Sequence, residues 1–218
     1  MKKTLVILAL LNVSIVFAQS NLRLGVNIDP MASWLTPKSD GIEKDGARPG
    51  IGGGLVVEYY FHPNYGLVTG LMLTTQGGNV LYNDPVSISS GKTTSVMVGA
   101  GESVAFNLSY MTIPLSLKLK TNEMGYFTYF AQLGLNQLIN VGSKGTSTDK
   151  ELNKDNVAKE INTFNMSYFF GGGVEYNVGG QTSLFAGIFY NNGFVDVLSN
   201  KDHKAVLNYL TFRIGVLF

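Results

Sequence analysis

The chain has 218 residues with 16 lysines and arginines against 15 acidic residues and no cysteine, which excludes disulfides and thiolate metal sites and gives no electrostatic case for nucleic acid. Charged residues make up only 14%, where a soluble domain carries about a quarter, while 26 glycines and 11% aromatics suit curved strands that show one face to lipid. The length suits one all-β domain.

Lys2 and Lys3 precede an apolar run from Leu5 to Leu11 that continues through Val13 to Phe17, with Ala18 before Gln19. A basic start, a short apolar core and a small residue describe a secretory signal peptide over 1–18, cleaved after Ala18, and not a membrane span. Residues 19–218 are then the mature β-barrel domain, with 14 basic residues against 15 acidic once Lys2 and Lys3 are gone. No later stretch reaches the roughly 18 apolar residues of a spanning helix, so any crossing is made by strands.

Alternation predicts strands over 20–29, 51–62, 66–76, 104–120, 126–139, 164–177, 182–191 and 206–218. Their connections are unequal in a regular way. Short ones lie at His62–Tyr65, Thr121–Gly125 and Asn177–Gln181, and long polar ones at Pro30–Pro49, Gly77–Ser103, Asn140–Thr163 and Asn192–Lys204. Short periplasmic turns alternating with long outer loops predict an all-β fold, an eight-stranded antiparallel up-and-down transmembrane β-barrel. An even strand count returns both ends of the mature chain to one side, where the first strand pairs with the last and no edge is left open.

The register turns uncharged sets outward, among them Leu22, Leu24, Val26 and Ile28; Leu55, Val57, Tyr59 and Phe61; Ile113, Leu115, Leu117 and Leu119; and Leu184, Ala186, Ile188 and Tyr190. Aromatics gather near strand ends, at headgroup level. The first loop, with Trp34, and the second are the places for surface partners. The third, with Asp149, Lys150, Glu151, Lys154, Asp155, Lys159 and Glu160, reads as a solvated loop with a short exposed helix, and its carboxylates do not match a calcium loop. No metal or other cofactor is implied.

Five charges fall on the opposite, polar face: Arg23, Glu58, Lys118, Glu175 and Arg213, each near the periplasmic end of its strand. Charge within a spanning strand is costly unless sheltered and paired. These residues predict a belt of alternating sign, Glu58, Lys118, Glu175 and Arg213, with Arg23 beside Arg213, plugging a lumen that in eight-stranded barrels side chains just fill. In the last strand Phe212, Ile214, Val216 and the terminal Phe218 share the outer face, a pattern similar to the closing strand that the barrel-assembly machinery recognises.

The segment Tyr110-Met111-Thr112-Ile113-Pro114-Leu115-Ser116-Leu117-Lys118 resembles the tyrosine, isoleucine-proline, leucine and lysine strand of the PorT-like outer-membrane β-barrel family of Bacteroidota. The glycine-rich strand Tyr126–Leu138, the segment Gly171–Tyr176 and the closing Leu210–Phe218 strand are similar in kind. Thr112 stands where the family pattern has an acidic residue before Ile-Pro. The resemblance implies a cell-envelope barrel, in some cases associated with secretion or surface machinery, with no catalytic residues to carry over. The expected partners are outer-membrane lipid, the barrel-assembly machinery and secretion or surface-complex proteins.

Two other classes compete with a structural, interaction or secretion-associated barrel. A lipid-modifying outer-membrane enzyme would draw on His203 with Ser199 and Asp202, or on His62, although a Ser and an Asp beside a His is also ordinary loop composition. An exported lipocalin-like ligand-binding barrel would turn its apolar face inward.

Overall fold

A computed structural model describes residues 21–91, 95–149, 152–200 and 202–218; the predicted leader lies outside them. The chain forms β1 (Leu22–Pro37), β2 (Ile42–Lys44), β3 (Ala47–His62), β4 (Tyr65–Tyr82), β5 (Val86–Ser89), β6 (Ser95–Val98), β7 (Glu102–Lys120), β8 (Phe127–Ser147), β9 (Asn153–Asn156), β10 (Phe164–Gly179), β11 (Thr182–Gly193) and β12 (Ala205–Leu217). Eight long strands pair antiparallel in the order β1, β3, β4, β7, β8, β10, β11, β12, and β12 returns to β1. The predicted barrel is therefore closed, and the start of β1 meets the end of β12 at the end that carries the three short turns. There Leu24 and Phe218 exchange backbone hydrogen bonds of 3.2 and 2.7 Å.

Alternation carries the outward sets as predicted. Val26, Ile28, Leu55, Leu115, Leu133, Leu184 and Ile188 are all exposed, and Ile28 reaches 60%. Aromatic girdles flank this band. Tyr59, Phe61, Tyr65, Tyr126, Tyr129 and Tyr176 lie outside near the turn end. Phe170 and Trp34 both pack on Tyr190 toward the loop end, with ring centroids 5.7 and 6.4 Å apart. Trp34 is thus part of β1, opposite Ala47 of β3, and not of a loop.

Prolines interrupt the ladders where expected of a residue without an N–H. The β4–β7 pairing jumps from Thr69↔Leu115 to Met72↔Thr112 around Pro114, whose carbonyl accepts a 2.8 Å hydrogen bond from Thr69 Oγ1. The β1–β12 pairing likewise jumps from Ile28↔Ile214 to Met31↔Thr211, leaving out Asp29 and Pro30.

Strands run further toward the loop end than predicted: β1 continues past Asp29 to Pro37, and β8 past Ile139 to Ser147. The period of two continues through both extensions: Met31, Ser33 and Leu35 of β1 and Ser143 and Ser147 of β8 are buried, and the small polar residues at these inward positions hide the strands from a reading of apolar alternation. The loops fold back over this end. Val86, Ile88 and Val98 of the β5–β6 hairpin, Leu152, Val157 and Ile161 of the third loop, and Val197 and Leu198 of the fourth join one apolar core with Val80, Phe106 and Tyr110. Among its described residues the third loop is accordingly only half solvated: Leu152, Asp155, Val157 and Ile161 are buried, while Lys154 and Lys159 stay exposed. Its helical part is a single 3₁₀ turn, Ala158–Glu160. Burial, and secondarily the nearby Glu160 carboxylate, raises the pKa of the Tyr82 phenol in this cap above its ordinary value.

Candidate functional site in the barrel interior

The interior is layered, and its layers follow from which residues take the inward parity. Nearest the turn end, β1, β3, β7 and β10 bring Arg23, Glu58, Lys118 and Glu175 together. Lys118 Nζ lies 2.6 Å from Glu58 Oε1 and is hydrogen-bonded to Glu175. Arg23 Nη1 donates to Glu175 Oε2 at 2.8 Å and stands 4.0 Å from Glu58 Oε2. Two cations thus meet two anions, and the set carries no net charge.

Lys118 is only 2% exposed, so its pairing offsets a large desolvation cost. Tyr60 adds a donor the sequence reading missed, its hydroxyl donating to Glu58 Oε2 at 2.8 Å. Its inward parity between outward Tyr59 and Phe61 was the available signal. Arg23 Nη2 also donates to Ser183 Oγ at 2.9 Å.

Arg213 does not join this group, contrary to the predicted sequence of belt charges. Its guanidinium grips Asp29, with Nε 3.1 Å from both carboxylate oxygens and Nη2 2.9 Å from Oδ2. The register explains the difference. Gly25 pairs with Leu217, so Arg23 lies beyond the end of β12, while Arg213 falls opposite Asp29, six residues up β1. That is ~20 Å along the strand at about 3.3 Å per residue. Asp29 was overlooked because the predicted strand ended there; its parity with Arg23 and Asn27 would have placed it inside.

Between the two charged layers sits an apolar layer that a simple polar-inside rule does not anticipate. Phe130, Phe169, Phe185 and Phe189 form one buried cluster with Val56, Val68 and Leu217. Phe189 packs against Phe130 and Phe169 with centroids 6.4 and 6.1 Å apart. Glycines opposite them leave the room. An ideal Cβ on Gly173 would lie 2.8 Å from Phe130 Cζ and 2.0 Å from Ala186 O, and one on Gly215 2.5 Å from Phe185 Cε1. Lys118 Nζ sits 4.5 Å from the Phe130 ring centre and Arg213 Cζ 4.8 Å from that of Phe189, so both charged layers rest on the faces of these rings. Further up, Asn136 Nδ2 donates to Asn191 Oδ1 at 2.9 Å and to Tyr209 OH at 3.1 Å.

Below Arg23 the barrel opens at the turn end into a vestibule of about 340 Å³, lined among others by Arg23, Tyr60, Lys120, Glu123 and Glu175. On the last strand Phe212, Ile214 and Phe218 face outward and exposed, whereas Leu217 is fully buried.

Among the described residues neither histidine is held against a serine or carboxylate side chain. The His203 ring packs edge-on to Tyr82 at 5.3 Å, and its Nδ1 is 3.5 Å from Asn200 Nδ2. The neighbouring Asp202 and Ser199 are engaged through their backbone, Asp202 N donating to Asn200 Oδ1 and Ser199 N to Glu160 O. His62 is exposed beside Tyr65, and its Nδ1 accepts from Asn64 N at 3.3 Å.

The family model for the outer membrane protein beta-barrel domain matches residues 17–199. Among solved structures, Neisserial surface protein A is similar in fold, at 15% identity over 91% of this chain and 96% of that one, with a TM-score of 0.51. Outer membrane protein OprG from Pseudomonas aeruginosa aligns at 13% identity over 91% and 95%, with a TM-score of 0.48. Ail, the attachment invasion locus protein of Yersinia pestis, aligns at 15% over 90% and 98%, with a TM-score of 0.42. No curated protein matches the chain in sequence.

Proposed function

The chain belongs to the outer membrane protein β-barrel domain family, and from that premise we propose that it is a plugged, non-conducting barrel with a structural, interaction or secretion-associated role. The observation that carries this reading is the position of Lys118, its ammonium between Glu58 and Glu175 and against the ring of Phe130. A lumen of this size is filled by its own side chains. Charge-balanced pairs stacked on aromatic rings rigidify such a filling instead of leaving a path for ions. In this reading the turn end faces the periplasm and the capped loop end faces outward, as in other outer-membrane barrels.

The leader over 1–18 directs export, and Phe212, Ile214, Val216 and Phe218 present the closing strand to the barrel-assembly machinery. The likeness of Tyr110–Lys118 to the PorT-like family supports a partner among secretion or surface-complex proteins, and lipid surrounds the exposed leucine band. Catalysis is not part of the reading, because His203 is held by Asn200 and Tyr82 and not by Ser199 or Asp202.

Purified protein in planar bilayers tests the plug. Long silent records are expected, whereas reproducible porin-sized conductance steps from folded protein would overturn it. Cross-linking of intact outer membranes tests the role: a stoichiometric protein partner supports an accessory subunit, and recovery with lipid alone removes the secretion-associated part.

A further inference from the structure

On the outer wall of the barrel, just where the exposed apolar band ends toward the loops, lies a polar groove of about 330 Å³ between β4, β7, β8 and β9. Register explains its composition. Thr75 pairs with Ser109 and Ser109 with Gly142, one step beyond outward Leu73 and Met111. Leu73 is 66% exposed and Val141, the extra residue where the β7–β8 register shifts, is 60% exposed. Next along, Asn107 pairs with Lys144 and Lys144 with Asn156 of β9. The change from lipid-facing apolar side chains to a hydrogen-bonding floor therefore happens within one outward row.

Among the described residues the cations of this groove are uncompensated. Lys144 and Lys154 both line it, and no carboxylate does. Neither lysine makes an ion pair among the described residues, and Asp155, next in sequence to Lys154, is buried with its carboxylate accepting from Ser90 Oγ at 3.2 Å. The backbone is also unusual here. Lys154 has φ +55°, a left-handed conformation that a residue with a Cβ adopts at some cost and that no other described non-glycine residue shares. It is held by Lys154 N donating to Thr146 Oγ1 at 3.2 Å.

We propose that this groove binds the phosphorylated headgroup of an outer-leaflet glycolipid whose acyl chains lie along the Leu73, Met111 and Val141 wall. Two ammonium groups above a ledge of Thr75, Ser109, Asn107 and Asn156 donors and acceptors match a sugar phosphate. The adjoining exposed apolar wall matches its chains. A free phosphate would use the lysines but not the wall, and the continuity of the two surfaces is what selects a lipid. The inference rests on the outward orientation of the loops proposed above.

The test is refolding into phosphatidylcholine vesicles containing bis-phosphorylated lipid A, followed by detergent extraction and mass spectrometry of the lipid retained per barrel. Wild-type protein is expected to retain lipid A, with Lys144→Gln/Lys154→Gln losing about 10–30-fold in apparent affinity. Lys144→Arg/Lys154→Arg keeps the binding. Lys38→Gln/Lys204→Gln, which removes the same charge from other loops, also keeps it. Heat-modifiable gel mobility confirms that each variant is folded.

Equal retention by wild type and the glutamine pair, or equal retention of dephosphorylated lipid A, would overturn the proposal. Displacement by inorganic phosphate at concentrations comparable with lipid A would overturn the lipid assignment. Protease access to the loops in intact cells reads orientation separately: cleavage from outside supports the orientation that the inference needs, and loops cut only after the outer membrane is opened would sink both readings.

Discussion

Asp29 and Arg213 face each other across the seam that joins the first and last strands, at the place where Pro30 interrupts the backbone ladder. A side-chain pair thus replaces missing backbone bonds at the step that closes the barrel. Asp29→Asn keeps the shape but removes the charge that Arg213 was desolvated to meet, so it is expected to destabilise by about 3–5 kcal/mol. Urea titration of protein folded in vesicles measures this, and a loss below 1 kcal/mol would contradict it. The double variant Asp29→Asn/Arg213→Met should recover a large part of the loss, because no unpaired charge remains.

Lys118 serves two glutamates at once. Lys118→Met leaves Glu58 with the Tyr60 hydroxyl and Glu175 with Arg23, which stands 4.0 Å from Glu58, and is expected to cost about 3–5 kcal/mol. Adding Glu58→Gln should restore stability in part. A fully additive double variant would indicate that the three residues do not act as one unit.

Gly173 leaves room for Phe130 inside the wall. Gly173→Ala is expected to destabilise by about 1–3 kcal/mol or more through overpacking, because the new Cβ would stand 2.0 Å from the Ala186 carbonyl oxygen, and adding Phe130→Leu should relieve only the smaller, side-chain part of the penalty. Equilibrium unfolding of both variants reads the coupling. An unchanged Gly173→Ala midpoint would mean that the wall gives way more easily than the contacts imply.

Position along the outer wall sets a different scale. Leu115→Arg, in the middle of the exposed band, should cost about 2–4 kcal/mol, and Val178→Arg, at the turn end, about 0–1 kcal/mol. The contrast is read in bilayers of constant thickness. Equal costs at the two positions would misplace the band.

Phe218→Ala should lower the amount of assembled barrel in cells while leaving refolding into vesicles almost unchanged, since the ring is 54% exposed and outside the lumen. Membrane fractionation and vesicle refolding, run side by side, separate recognition from stability. A parallel loss in both would make Phe218 a packing residue only.

Much of the fold is legible because a β-barrel is written with a period of two. Leu55, Leu115 and Ile188 announce the outer face, and the contrast between His62–Tyr65 and Gly77–Ser103 announces which connections are short. The grouping of Glu58, Lys118 and Glu175 could be anticipated from parity and distance to a turn. Arg213 could not be placed correctly in that way, because the shear between β1 and β12 decides what lies opposite what, and a shift of a few residues moves a charge to another layer. The loops were harder still. Val86, Leu152, Val157 and Val197 are scattered among polar residues, and no periodicity says that they meet.

By itself, then, the order of residues determined a closed barrel of eight strands with an apolar exterior, since alternation acts locally and no stretch after residue 18 is apolar for long enough to span as a helix, which leaves few alternatives. Tertiary structure alone decided the inside: the pairing of Asp29 with Arg213, the phenylalanine layer seated on Gly173 and Gly215, and the folded cap over the loop end. These depend on register, shear and curvature, which bring together side chains more than a hundred residues apart and are set only when the whole sheet closes.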